Sequence, residues 1–185
     1  MEFFTADEHY FHKNMIEYAN RPYANVSDMN EALITNHNKI VKSNDITYHI
    51  GDFAFGSMDN IKKLIGQLNG KHIFIYGSHD KSIARMGRRG EIDYRGSRIE
   101  IEIKNRFIVM DHYCLRVWAK SHYGSWHLFG HSHGKLEPIG KSWDVGVDNN
   151  NFYPVSFDRI CEIMAGRPDN PNLIPEENRR RPRRN

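Results

Sequence analysis

Residues 73–80 read IFIYGSHD: a short apolar run, a glycine, then Ser78, His79 and Asp80. KHIFIY (71–76) is rich in β-branched and aromatic residues and too short for a helix, so it is expected to be a strand that ends in a polar turn. Outward from it, ITYHI (46–50) is a second strand ending at Gly51-Asp52, and EFFTA (2–6) a third that runs into the polar loop DEHYFHKN. Between these strands, SDMNEALITNHNKIVK (27–42) carries Met29, Leu33, Ile40 and Val41 at helical spacing, with Ser27 as a candidate N-cap. SMDNIKKLIGQL (57–68) is a second helix with Ser57 as cap. The first half is thus β-α-β-α-β, the pattern of a mostly parallel sheet covered by helices.

The second half is richer in strands. RIEIEIK (98–104) alternates isoleucine with charge, the pattern of a strand with one wet face, and RFIVMDH (106–112) follows a turn around Asn105 as its antiparallel partner. WHLFG (126–130), KSWDVGV (141–147) and a helix from Ser156 to about Met164 complete the pattern. The expected class is α/β: a two-sheet β-sandwich flanked by helices.

With 185 residues the chain has volume for one domain with a real core, expected over 1–166. No apolar run approaches the ~20 residues of a membrane span. EFFTA is expected to open a strand at once, leaving no room for a signal peptide. Cys114 and Cys161 lack CxxC spacing. A cytoplasmic protein in a reducing setting, with no membrane partner, is expected. Residues 167–185 form a Pro/Asn/Arg-rich tail whose six arginines and three acids account for the whole net charge of +3. Such a tail is expected to be solvated or loosely docked, with contact to nucleic acid as the alternative. Eleven histidines are unusual for this length.

The polar loops after successive strands hold Asp7-x-His9, Gly51-Asp52, Gly77-Ser78-His79-Asp80, Asp111-His112 and Gly130-His131-x-His133. Each alone is weak. In an α/β sheet, however, loops at the carboxyl ends of strands share one edge, so five such loops can gather their side chains into a single cluster. Imidazole and carboxylate suit divalent transition metals, and the neighbouring glycines permit tight turns and close backbone approach.

The set resembles the calcineurin-like metallophosphoesterase superfamily, whose pattern runs DxH, GD, GNHD, H, GHxH. It is most similar to the small single-domain bacterial and phage type, through DEHYFHKNMIEYANRP, YHIGDFAFG, DHYCLRVW, HLFGHSHG and VGVDNNNFYPVSFDRI. The resemblance implies a β-sandwich with two divalent metal ions, manganese first, with iron, zinc, nickel and magnesium as alternatives. Asp7, His9 and His133 would hold the first ion and Asp52 would bridge. His112, His131 and the residue at 78 would hold the second. A metal-bridging hydroxide would hydrolyse a phosphate ester, more readily a diester, with His79 assisting the leaving group and Asp80 orienting the His79 ring.

The chain departs from that pattern at Ser78, where the family has Asn. A serine hydroxyl is shorter than the Asn side chain and a weaker donor to a hard cation, so a weakened second site is expected. Ser78 as a nucleophile is disfavoured. His12, three residues after His9, reaches the substrate side or packs the loop. Arg116, four residues after His112, has the forked donors to meet a phosphate oxygen. His122 and His127 rival His112 as ligands by proximity, whereas His37, His49 and His72 look structural, and Trp118, Trp126 and Trp143 look like core. KSIARMGRRGEIDYRG (81–96) is either a basic path for an anionic substrate or a solvated loop. The partner expected is a phosphate ester, with a nucleotide or nucleic acid in view. Two other readings stand beside it: a binding protein on an impaired enzyme scaffold, and a nuclease that uses the Arg179–Arg184 cluster.

Overall fold

A computed structural model describes residues 1–179, and the arginines at 180, 181, 183 and 184 lie outside the described residues. The first sheet runs β4-β3-β2-β1-β9, with β1 at Glu2–Thr5, β2 at Ile46–Ile50, β3 at Lys71–Ile75, β4 at Asp93–Tyr94 and β9 at Val155–Ser156. Its first four strands are parallel, with Phe4 beside Tyr48, Tyr48 beside Ile73 and Ile73 beside Asp93. Only β9 pairs antiparallel, on β1. The second sheet runs β5-β6-β7-β8, with β5 at Arg98–Ile103, β6 at Arg106–Asp111, β7 at Trp126–Phe129 and β8 at Ser142–Asp144. β5 and β6 form the antiparallel hairpin read from the alternation, and β6, β7 and β8 are mutually parallel. The α/β class with two sheets and flanking helices is therefore observed.

Strand period two divides the core. Phe4, Tyr48, Ile50 and Ile75 of the first sheet share one cluster with Ile108, Met110, Trp126 and Leu128 of the second. Helix α5 (Phe157–Gly166) adds Phe157, Ile160 and Met164 to that cluster. Each such buried side chain contributes about 1.5–3 kcal/mol relative to leaving it in water. Phe53 and Phe74 face the other way and pack with α2 (Val26–Ile40) through Met29 and Leu33, and with α3 (Met58–Ile65) through Ile61 and Leu64. α1 (Met15–Tyr18) is a single turn in the loop after β1. Among the described residues no helix is long and apolar enough to cross a membrane.

Three local expectations change. Asn25, not Ser27, caps α2, its side-chain oxygen accepting the Asp28 N–H at 3.0 Å, so the cap falls two residues earlier than read. Residues 81–96 are not a solvated loop: Lys81–Arg88 is a helix, α4, whose Ile83 and Met86 enter the core, and Asp93–Tyr94 is the edge strand β4. The stretch after α5 is pinned rather than loose. Asn170 is buried, donates to the Ser121 and Ser125 carbonyls at 2.8 and 3.0 Å, and accepts the Lys141 N–H at 2.7 Å. The Ile174 N–H donates to the His122 carbonyl at 2.8 Å, so docked chain extends past residue 166.

Candidate metal centre

The loops that leave β1, β2, β3, β6 and β7 meet at one rim, and the backbone there is unusual. Asp7, His9, Asp52, His131 and His133 all have φ between 48° and 67°, the left-handed region that non-glycine residues seldom occupy. Such conformations persist where the surrounding structure holds them, and they concentrate at functional sites. Gly77 is the counterpart: a Cβ there would overlap the Asp52 amide nitrogen and carboxylate, so the β3 turn can close on β2 only without a side chain.

Two groups of three potential ligands result: Asp7, His9 and His133, and Asp52, His112 and His131, with the ligand atoms of each group within 4.8 Å of one another. Asp52 Oδ2 lies 3.3 Å from His112 Nε2 and 3.7 Å from His9 Nε2, so it stands between the groups. Neighbouring hydrogen bonds set which ring nitrogen faces the centre. His112 Nδ1 lies 2.9 Å from the Ile50 carbonyl, to which it donates, leaving Nε2 inward. His133 Nδ1 lies 2.6 Å from Asp148 Oδ2, and Arg21 grips that carboxylate with two bonds of 2.8 Å. The buried Arg21 guanidinium also donates to the Asp7 and Glu8 carbonyls at 2.6 and 2.8 Å, locking the first loop. Partners of this kind orient metal-ligating imidazoles.

Asp7 Oδ1, both ring nitrogens of His9 and His112 Nε2 are buried without a hydrogen-bond partner. Buried polar atoms left unsatisfied cost roughly 1–3 kcal/mol each, and most native side chains avoid them. Their convergence on two Asp/His clusters fits divalent cations, because imidazole nitrogen and carboxylate oxygen are the donors such ions take. The electrostatics agree. Burial pushes the Asp7 carboxyl up to about 7 and the His9 ring down to about 3. Burial also works to raise Asp52, but the His112 ring 3.3 Å away, the His79 N–H and the His9 ring outweigh it and hold that carboxyl well below the usual range. His112 is pushed up to about 9: burial opposes its proton, and Asp52 and Asp7 prevail. A proton on His112 thus balances negative charge that a cation would otherwise neutralise.

The remaining residues of interest separate clearly. Ser78 is at the centre, but its Oγ donates to Asp52 Oδ2 at 3.0 Å. His79 is exposed, its amide donates to Asp52 Oδ1 at 2.8 Å, and its ring centroid lies 5.7 Å from that of His9. Asp80 does not orient the His79 ring. Its buried carboxylate instead accepts the N–H groups of Asp52, Phe53 and Gly77 at 2.7, 3.0 and 2.9 Å, because the turn folds it back onto the end of β2. His12 stacks on Phe55 with centroids 4.0 Å apart and lines the cleft of about 410 Å³ that also holds His9, Asp52, Ser78, His79, His131 and His133. Arg116 is not among the side chains lining that cleft. The Leu115 amide is tied to His127 Nε2 at 3.0 Å and Trp118 is buried, which leaves Arg116 and Val117 facing solvent. The same bond settles His127 as structural: Nε2 accepts from Leu115, and Nδ1 donates to the Val109 carbonyl at 3.1 Å. A larger cavity of about 620 Å³, beside Phe3, Trp143 and Tyr153, is lined by no Asp, Glu, His or Cys side chain.

Sequence reasoning missed Arg21, Asp148 and Asp144. Arg21 and Asp148 fix His133 and the first loop; Asp144 accepts the Ser132 hydroxyl and the Gly134 and Gly146 N–H groups, bracing the His131–His133 turn. All three sit in the ANRP and DVGVDNNN stretches, where an arginine before proline and acids among Asn and Gly were the available signals. His37, His49 and His72 are packed together under the helices. His49 bridges Glu8 Oε1 at 2.5 Å and His72 Nδ1 at 3.0 Å.

No family model matches the chain. It belongs to the family of the uncharacterized protein MJ1445 of Methanocaldococcus jannaschii, to which it is 34% identical over 173 residues, covering 88% of this chain and 90% of that protein. Among solved structures, the protein of unknown function AQ665 from Aquifex aeolicus shares the fold with a TM-score of 0.71 at 22% identity, over 88% of this chain and 98% of that one.

Proposed function

We propose that the protein is a calcineurin-like metallophosphoesterase that hydrolyses phosphate esters, with phosphodiesters as the preferred class. The observation that carries this reading is the convergence of two Asp/His triads on Asp52, with orphaned ligand atoms, in an open cleft that also presents His79. Asp7, His9 and His133 would hold one divalent ion, Asp52, His112 and His131 the other, with Asp52 shared. Two such ions supply Lewis acidity at phosphorus and an activated water at neutral pH. The chain does the rest. Asp80 and the Asp148–Arg21 pair hold the turns. Phe55 and His12 form one wall of the cleft. His79, exposed at the mouth, is placed to give a proton to a departing alkoxide or donate a hydrogen bond to a phosphoryl oxygen.

The test is hydrolysis of an aryl phosphodiester and the matching monoester by chelator-treated protein, with Mn²⁺, Fe²⁺, Zn²⁺, Ni²⁺ or Mg²⁺ restored in turn. Metal-dependent turnover that favours the diester and falls at least 100-fold in Asp52→Asn is expected. Turnover unaffected by chelation or by Asp52→Asn would sink the reading.

A further inference from the structure

Helix α4 begins at Lys81, two residues after His79, and one side of it is strongly cationic. Lys81, Arg85 and Arg88 are spaced i, i+4 and i+7, so they line one face over about 10 Å of helix. The opposite face buries Ile83 and Met86 in the core, which fixes the orientation of the cationic one. This face forms a wall of a cavity of about 430 Å³, whose other sides are Tyr76 at the end of β3 and Tyr94 and Ser97 from the β4 rim. Among the described residues no carboxylate lines it.

The neighbouring cations are neutralised. Arg89 pairs with Glu91 at 3.8 Å, and Arg95 holds Asp93 at 2.5 and 3.0 Å. Among the described residues, Lys81, Arg85 and Arg88 enter no ion pair with a carboxylate, so three positive charges converge on a concave surface with nothing to balance them. Gly87 adds a sign of construction. A Cβ there would collide with Tyr94, so the helix carries a glycine, at a cost of roughly 1 kcal/mol against alanine, and the tyrosine seats directly on it.

We propose that this cavity is a subsite for single-stranded nucleic acid, which binds the strand next to the diester presented at His79. The proposal rests on the phosphodiesterase reading of the cleft. A cationic groove that follows phosphates, combined with aromatic side chains that accept a base face, is the chemistry of single-strand binding. Tyr76 and Tyr94 can stack only on unpaired bases, which disfavours a duplex. The cavity size lies within the range of small-ligand sites, enough for one nucleotide unit rather than a long wrapped segment.

The experiment measures fluorescence anisotropy of a labelled twelve-nucleotide phosphorothioate strand, which resists cleavage, on the full-length protein with Mn²⁺ over a series of salt concentrations. Arg85→Ala/Arg88→Ala should weaken binding at least tenfold at low salt. It should also flatten the slope of log K against log salt by about 1.4, as expected for two lost phosphate contacts on a single strand. Arg85→Lys/Arg88→Lys, which keeps the charges and guards against a folding artefact, should retain the slope. Tyr76→Ala should weaken binding several-fold with the slope unchanged. Affinity within twofold of the parent in both the alanine double variant and Tyr76→Ala would overturn the proposal. So would tripolyphosphate displacing the strand at the same concentration as unlabelled strand, since that marks a phosphate site indifferent to bases. Binding is read without turnover, so the two readings fail separately. Arginine-dependent binding without diester hydrolysis removes only the enzyme reading, and hydrolysis with arginine-independent binding removes only the subsite.

Discussion

Ser78 is the residue on which the second triad turns. Its hydroxyl spends its hydrogen on Asp52 Oδ2, the oxygen that faces His112 and His9. An asparagine at this position would offer a longer carbonyl arm and a stronger neutral oxygen donor toward His112 and His131. Ser78→Asn is therefore expected to raise the affinity of the second metal about tenfold or more, with the first unaffected. The check is bound metal per protein by mass spectrometry across a Mn²⁺ titration, with diester turnover read alongside. Equal occupancy and equal turnover at limiting metal in the two proteins would dismiss the serine as a weak point. Asp80 teaches a different lesson at the same scale. The family resemblance implied a carboxylate aimed at the neighbouring ring. A buried carboxylate, however, needs donors, and three backbone N–H groups supply them here.

Among the elements, the strand-end turns carry the two triads and also the strain. At the β3 turn, Gly77 must let the backbone of Asp52 approach while Asp80 ties both turns together. Gly77→Ala should therefore cost roughly 2–4 kcal/mol, the scale of a core steric clash plus displaced buried hydrogen bonds. Urea unfolding at neutral pH checks this, and a loss under about 0.5 kcal/mol would mean the turn relaxes freely. The β-α-β-α-β half was legible because ITYHI and KHIFIY have the length, β-branching and flanking glycines of buried strands. The six potential ligands of the two triads were legible because each falls in the loop directly after a strand. Residues 81–96 were not: α4 is short, holds Gly87 in its last turn, and shows few apolar residues, of which Ile83 and Met86 anchor it in the core. Asp148 and Arg21 were hidden for a related reason, since 127 residues separate partners that only the folded chain brings together.

At the scale of the molecule, the site is split between the two sheets. Asp7, His9 and Asp52 follow strands of the first, and His112, His131 and His133 follow strands of the second. The shared core and cross-links such as the Val147 N–H to the Ala6 carbonyl at 3.0 Å and the His131 N–H to Asp7 Oδ2 at 2.8 Å hold the halves in register. Buried histidines away from the two triads tie each half together internally. His127 joins the Val109 carbonyl to the Leu115 amide, and His37 joins α2 to the Asn69 carbonyl at 2.9 Å. A proton on His127 Nε2 would turn an acceptor into a donor facing an N–H, so the folded state needs the ring neutral. Burial holds His37 down to about 3 and His127 to about 4. Both values lie below the ~6.5 of an unfolded histidine. Each ring's contribution to stability is thus whole above pH 6.5 and drains away as pH falls toward 4 and then 3. Between pH 7.5 and 5 the loss comes to roughly 2 kcal/mol per ring by linkage. Asp7 and Glu8, pushed up by burial to about 7 and about 8, act in the opposite direction. The informative quantity is therefore a difference between proteins. Chelator-treated wild type should lose about 4 kcal/mol more than a His37→Gln/His127→Gln variant between pH 7.5 and 5 in urea unfolding. Parallel curves for the two proteins would show that neither ring titrates with folding.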